Sequence, residues 1–170
     1  MRKVLLITLL VTGFAFNANA QDSRFGATVG FLNAGGKVTF EDESVTGSDA
    51  GFYLGLIGDF GVTEKFHIQP ELLYASVDGS SAIFIPVLAK IYVAEGFNLQ
   101  AGPEISFSLE ETGDDISSLS TSIAAGLGYD ITEDFFVEAR YSQQLNNSYT
   151  GDLDITARGN GLFVGLGYKF

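Results

Sequence analysis

The last ten residues of the chain, 161–170, alternate between two kinds of side chain. Every second position is apolar: Leu162, Val164, Leu166, Tyr168 and Phe170. The positions between them hold three glycines, one phenylalanine and one lysine. Because successive side chains of a strand point to opposite faces, this segment predicts a strand with one wholly apolar face that ends on an aromatic residue. Such a face requires an apolar environment outside the strand.

The first 20 residues have the features of an export signal. A positive start, Met1–Lys3, precedes a mostly apolar stretch over 4–16 and the small residues Ala18 and Ala20. The stretch is shorter than the roughly 20 apolar residues of a membrane-spanning helix. We therefore predict that residues 1–20 are a cleaved signal peptide and that residues 21–170 form one domain. Cleavage removes Arg2 and Lys3, which makes the net charge two units more negative than −12.

The same alternation recurs in eight segments: 24–33, 51–60, 66–77, 82–93, 97–109, 118–130, 135–145 and 157–170. The apolar faces of the first seven segments, and of 162–170 in the last, carry no charge. The alternate face holds these charged residues: Asp59, Glu71, Lys90, Glu104, Asp130, Glu138, Arg140 and Lys169. A charge facing lipid at mid-depth costs about 2–4 kcal/mol, so this segregation suits a lipid-facing wall. The sequence predicts an all-β fold, an eight-stranded antiparallel up-and-down transmembrane β-barrel.

The lengths of the connections predict the orientation of the barrel. The joins at 61–65, 94–96 and 131–134 are short, whereas 34–50, 110–117 and 146–156 are predicted to be longer loops, with 78–81 as a short exception. Short turns are typical of the periplasmic side and longer loops of the external side. Aromatic residues fall near both ends of the predicted strands, as expected for two interfacial belts.

Four motifs give the chain a family resemblance. They are Phe66-x-Ile-x-Pro-Glu-Leu-x-Tyr74, Ile85-Pro-Val-Leu-Ala-Lys90, Ala101-Gly-Pro103 and Gly165-x-Gly-Tyr-x-Phe170. In this order they resemble the small eight-stranded outer-membrane barrels, the OmpA-transmembrane-domain and OmpX-like group, and most of all the "porin family" domain of Bacteroidetes type. The resemblance implies a monomer in the bacterial outer membrane, in contact with lipid and lipopolysaccharide. Leu166, Tyr168 and Phe170 resemble the terminal signal recognised by the barrel-assembly machinery.

The inward charges are the candidate site. Glu71, Lys90, Glu104, Glu138 and Arg140 are predicted to form a polar network inside the barrel. One interpretation is a narrow or gated ion path, and the other is a static plug. The lumen of an eight-stranded barrel is just wide enough for side chains to fill, which favours the plug.

Enzymatic, cofactor, metal and nucleic-acid functions have little support. His67 is the only histidine, it is predicted to face inward, and there is no Gly-x-Ser-x-Gly motif. The chain has no cysteine, and no cofactor motif was found. Acidic residues in the predicted loops could bind divalent cations, but their spacing matches no twelve-residue calcium loop. A solvated, repulsive surface is the simpler interpretation, and the negative charge disfavours nucleic acid.

Two functions of different class follow. The first is a non-enzymatic outer-membrane barrel of structural or interaction type, with at most weak porin-like conductance. The alternative is a secreted soluble lipocalin-like barrel that binds a small apolar ligand. A lipocalin keeps apolar side chains inside and charges outside, whereas here the uncharged face is the apolar one. This distribution favours the membrane barrel.

Overall fold

A computed structural model describes residues 23–40, 43–111, 113 and 115–170. The predicted signal peptide and the loop acids Glu41, Asp42 and Asp114 lie outside the described residues. Eight strands account for most of the remainder: β1 Ser23–Phe40, β2 Glu43–Gly61, β3 Phe66–Val77, β4 Ser80–Tyr92, β5 Phe97–Ser108, β6 Leu119–Asp130, β7 Phe135–Gln144 and β8 Ile155–Lys169. The described residues include no helix long and apolar enough to cross a membrane.

Each strand is antiparallel to the next, and β8 pairs with β1, so that the sheet closes into a barrel. The predicted fold class is therefore confirmed. Closure satisfies the edges of the sheet, which is the condition for strands to cross a bilayer.

The outer surface of the barrel is apolar on all eight strands. Large apolar side chains such as Phe25, Leu56 and Val164 are about half exposed, at 57%, 60% and 49%. Asp59, Glu71, Lys90, Glu104, Glu138, Arg140 and Lys169 lie on the opposite face, inside the barrel, whereas Arg158 at the start of the last predicted segment is exposed. This distribution is opposite to that of a soluble lipocalin, so the lipocalin alternative is not favoured.

Two turns at the end predicted to be periplasmic are built alike. Val62-Thr-Glu-Lys-Phe66 and Ile131-Thr-Glu-Asp-Phe135 each close with a 2.8 Å hydrogen bond from the first backbone N–H to the last carbonyl. In each turn the threonine hydroxyl also accepts a 3.0 Å hydrogen bond from the N–H of the phenylalanine. At the opposite end, Asp78 and Gly79 have φ of 47° and 80°. Positive φ at both central residues is the geometry of a two-residue type I′ hairpin.

The prediction of a long loop at 34–50 was wrong. β1 and β2 remain paired as far as Phe40 and Glu43, and β8 pairs with β1 as far as Ile155. We call residues 34–40, 43–50 and 155–161 the extension, a three-stranded sheet that continues the barrel at the end predicted to be external, which we refer to as the external end. Its residues are mostly exposed, including Val45 at 76%. Outside the bilayer a strand needs no lipid-facing side, so the alternation used to recognise the other strands is absent here.

Candidate functional site in the barrel interior

The period of two places the five predicted network residues inside the barrel. Glu71 lies on β3, Lys90 on β4, Glu104 on β5, and Glu138 and Arg140 on β7. Each is at most 4% exposed. Charges buried to this extent need partners, since an isolated charge in a low-dielectric interior is costly.

Arg140 is the centre of the network. Its Nη1 lies 2.9 Å from Oε1 of Glu71 and 3.9 Å from Oε1 of Glu138. The guanidinium carbon lies 5.3 Å from the centre of the Phe163 ring, within the range of a cation–π contact. Gln69 adds a 2.7 Å hydrogen bond from Nε2 to Oε1 of Glu71. Arg140 therefore connects Glu71, on the opposite side of the barrel, with Glu138 on its own strand.

Lys90 belongs to a neighbouring part of the interior. Its ammonium donates to Oε1 of Gln69 at 2.9 Å and lies 3.3 Å from Oδ2 of Asp59. Gln69 thus links the Lys90–Asp59 pair to the Arg140–Glu71 pair, because its amide donates to Glu71 and its carbonyl accepts from Lys90.

Glu104 differs from the other members. The hydroxyl of Ser142 donates a short hydrogen bond to Oε1 of Glu104. Among the described residues, Oε2 has no hydrogen-bond partner and no Lys, Arg or His nitrogen lies within 4.0 Å of the carboxylate. The structure therefore brings four of the predicted residues into two linked groups and leaves Glu104 apart from them.

A second charged cluster lies towards the periplasmic end, and our predicted network did not include it. Asp59 is contacted by Nδ1 of His67 at 2.7 Å and by Nζ of Lys169 at 3.1 Å. Lys169 also lies 3.2 Å from Asp130, which accepts a 2.7 Å hydrogen bond from the Tyr92 hydroxyl. The inward positions of these residues were evident from the alternation, but their contacts cross between strands distant in sequence.

An apolar layer above the charges was also missed. Leu32, Tyr53, Leu73, Ala75 and Phe163 form a buried cluster inside the barrel. The Tyr53 and Phe163 rings pack edge to face with centroids 5.4 Å apart.

The sequence signal for this layer lies in the inward glycines. A Cβ at Gly165 would lie 2.2 Å from the Tyr53 hydroxyl oxygen. The same holds outside this layer, where a Cβ at Gly167 would lie 2.1 Å from Cζ of Phe136. Glycine on one strand thus makes room for a ring from another, as small and large residues alternate in the interior of small barrels.

The interior is closed between two mouths. A cavity of about 190 Å³ occupies the external mouth, and one of about 470 Å³ lies at the periplasmic mouth. Between them Lys90, Phe136 and Arg140 are each at most 2% exposed. A continuous water-filled path would leave such side chains exposed. Among the described residues, side chains therefore fill the lumen between the two mouths.

The three C-terminal residues with a predicted assembly role all point outward. Leu166, Tyr168 and Phe170 are 53%, 42% and 68% exposed. The Tyr168 ring lies 4.9 Å from that of Phe135, and the backbone N–H of Phe170 donates to the carbonyl of Phe25 at 2.8 Å. The terminus thus completes the seam between β8 and its two neighbours.

We also looked for side chains that could bind a metal ion. Within the described residues, no three His, Asp or Glu side chains are grouped so that they could hold one.

The sequence of the chain matches a protein-family model, "Outer membrane protein beta-barrel domain", over residues 6–170. The chain belongs to this family. The apolar outer wall described above is thus the lipid-facing wall of an outer-membrane β-barrel domain. Comparison with curated proteins gives no significant match.

Solved structures share the architecture of this outer-membrane barrel. Ail, the attachment invasion locus protein of Yersinia pestis, superposes with a TM-score of 0.51 at 16% identity in a complex with the heparin analogue sucrose octasulfate. Neisserial surface protein A superposes with a TM-score of 0.54 at 14% identity. Each match covers 88% of this chain and 100% of the other. At these identities the likeness concerns the fold alone.

Proposed function

We propose that the chain is a non-enzymatic integral protein of the bacterial outer membrane whose lumen is closed and whose activity resides on its external side. The main observation behind this proposal is that the charged side chains around Arg140 are buried inside the barrel. Its side chain and that of Glu71 are both 0% exposed, and Glu138 is 1% exposed. Charges held in mutual contact favour a plug over an ion path, because ions need a hydrated route.

The geometry around the single histidine supports a non-enzymatic role. His67 contacts the Asp59 carboxylate and lies 5.0 Å from the Tyr92 ring. Among the described residues, no serine or threonine hydroxyl is hydrogen-bonded to His67. A His–Asp pair without a neighbouring nucleophile lacks the third member of a hydrolytic triad. It serves instead to satisfy Asp59.

The experiment that tests this proposal uses refolded protein in detergent and in planar bilayers. Unboiled protein should run at a different apparent size from boiled protein on a detergent gel, because a closed barrel resists unfolding. The same preparation should show small or no steady conductance. Solubility without detergent would contradict the membrane assignment, and a large steady conductance would contradict the plug.

The extension favours an interaction role over a purely structural one. Among the described residues, no strand lies beside the outer edge of β2 between Glu43 and Ala50, since pairing with β3 begins at Gly51. An exposed edge offers unpaired backbone groups to an extended segment of a partner.

Replacing residues 37–46 with an Asn-Gly turn would join the paired Gly36 and Gly47 through a two-residue hairpin. Normal insertion of this variant would show that insertion does not require the extension, as an interaction role predicts. Failure to insert would indicate that the extension is structural.

The expected partners follow from the two surfaces. We propose that the apolar wall contacts lipid, that the external rim meets lipopolysaccharide, and that the terminal residues engage the barrel-assembly machinery. Closure of β8 on β1 leaves no free strand edge in the wall, which supports a monomer. We do not extend polyanion binding to this chain from the Ail complex, because the external side here is acidic. Its described acidic residues include Glu43, Asp49, Glu110, Glu111, Asp115, Asp152 and Asp154.

A further inference from the structure

The external mouth contains a cavity with one polar side. Its volume is about 190 Å³, and Glu104 lies in its lining. Hydroxyl side chains from β5, β6 and β7 line the same side: Ser106, Ser120, Ser122 and Ser142. Ser122 and Ser142 are 8% and 4% exposed, whereas Ser106 and Ser120 are half-buried. The hydroxyls thus extend from the rim to the depth at which Glu104 lies.

The remaining lining from β1, β4 and β8 is largely apolar. Leu32, Phe84 and Phe163 contribute side chains to it. The Phe84 and Phe163 rings pack edge to face with centroids 5.4 Å apart. A ligand in this cavity would meet hydroxyls on one side and aromatic rings on the other.

Glu104 gives the cavity its charge preference. The residue is 1% exposed, its Oε1 accepts from Ser142, and Oε2 has no hydrogen-bond partner among the described residues. Burial of a carboxylate with no cation in direct contact is costly, so a cation that reached it from the cavity would be favoured. The acidic loops around the mouth act in the same direction, because they attract cations and repel anions.

We propose that the external mouth binds small primary amines with an apolar body. The ammonium group would lie at Glu104, where its three N–H donors can also reach serine oxygens. The apolar body would pack on Phe84, Phe163 and Leu32. A cavity of about 150 Å³ lined by apolar side chains holds benzene, so an amine with a single aromatic ring matches the available volume. Benzylamine is therefore a suitable probe.

The test compares three ligands of one shape on the refolded full barrel in detergent micelles. Benzylamine is cationic, benzyl alcohol neutral and benzoate anionic. Protein-observed NMR of the Ser122 and Ser142 amides reports occupancy of the cavity, and it is insensitive to ligand dissolved in the micelle. We expect saturable shifts with benzylamine, at least about tenfold weaker binding of benzyl alcohol, and no binding of benzoate.

Two matched variants test whether the charge that binds benzylamine is that of Glu104. Glu104→Gln keeps the shape and an acceptor for Ser142 but removes the charge, and should weaken benzylamine binding at least about tenfold. Glu110→Gln removes one charge from an exposed position of the external side and should change binding less than about twofold, since exposed charges are screened by salt. A gel-mobility assay checks that both variants fold.

Three results would overturn the proposal: no saturable shift with benzylamine, equal binding of benzylamine and benzyl alcohol, or unchanged binding by folded Glu104→Gln. The ligand comparison on the wild-type barrel decides the matter even if Glu104→Gln does not fold. None of these results depends on whether the lumen conducts ions.

Discussion

Replacing Arg140 with alanine tests whether the interior charges are a plug or a gate. The guanidinium is fully buried and forms a 2.9 Å ion pair with Glu71 and a 3.9 Å contact with Glu138. Removing it leaves two buried carboxylates that have lost their shared cation. Breaking a buried ion pair from one side costs about 3–5 kcal/mol. We therefore expect the free energy of unfolding of Arg140→Ala to fall by about that amount.

Arg140→Ala also removes the packing of the guanidinium on Phe163, which lowers the stability further. The guanidinium covers the Phe163 ring at 5.3 Å, and a desolvated cation–π contact contributes about 2 kcal/mol. Relaxation of neighbouring side chains into the space offsets part of this loss, so we keep the range of about 3–5 kcal/mol for the whole substitution. We expect little new conductance for the same reason.

The assay is urea unfolding of refolded protein, followed by the shift in gel mobility. The chain has no tryptophan, so gel mobility is a more practical signal than intrinsic fluorescence. The matched control is Lys37→Ala, which removes one cation from an exposed position of the extension. It should change stability by less than about 0.5 kcal/mol.

A double variant shows whether the loss of stability in Arg140→Ala comes from the Glu71 carboxylate that is left without its cation. Adding Glu71→Gln to Arg140→Ala removes one of the two uncompensated charges, so the pair should be less destabilised than the sum of the single variants. Contacting residues typically show coupling of about 0.5–3 kcal/mol. A loss below about 1 kcal/mol in Arg140→Ala, together with large steady conductance in planar bilayers, would refute the plug and support a gate.

Three further predictions test other parts of the barrel. Deleting Phe170 should lower the amount of heat-modifiable protein in outer-membrane fractions and raise the periplasmic amount; equal amounts would contradict the assembly role. Gly165→Ala should destabilise the barrel by about 1–3 kcal/mol through overpacking, whereas Gly47→Ala, with open space around its Cβ, should be nearly neutral; equal urea midpoints would contradict the packing argument. Leu56→Arg should lower the free energy of unfolding in lipid by about 2–4 kcal/mol, whereas Val45→Arg on the same strand should change it little. Equal losses of stability in vesicles would show that the membrane boundary lies elsewhere on this strand.

The membrane-crossing part of the fold follows from the sequence because the bilayer imposes a local rule. Each residue of a crossing strand faces either lipid or the lumen, so the environment of Leu166 or Lys169 is decided by its position in the alternation. This rule identified eight strands and the inward direction of Arg140 without any knowledge of neighbouring strands. The short turns at 61–65, 94–96 and 131–134 were predicted from the gaps between the alternating segments.

The extension shows where this rule ends. We place residues 34–40 and 43–50 outside the bilayer, where strands need no lipid-facing side. Their strand structure depends on pairing of β1 with both β2 and β8. Pairing between segments more than 100 residues apart cannot be inferred from either segment alone. The loop predicted there was wrong for that reason.

The sequence by itself determined which residues line the interior, whereas the tertiary structure decided which of them touch. Arg140 contacts Glu71, which lies 69 residues away in the sequence. Lys90 contacts Asp59 because of the register of three strands, and Glu104 accepts a hydrogen bond from Ser142. The direction of a side chain is a property of the local backbone, which alternation reveals. The distance between two side chains depends on strand register, on barrel closure and on the space left by glycines such as Gly165. Those quantities are set by the whole sheet, so only the folded barrel places one carboxylate beside a guanidinium and another beside an open cavity.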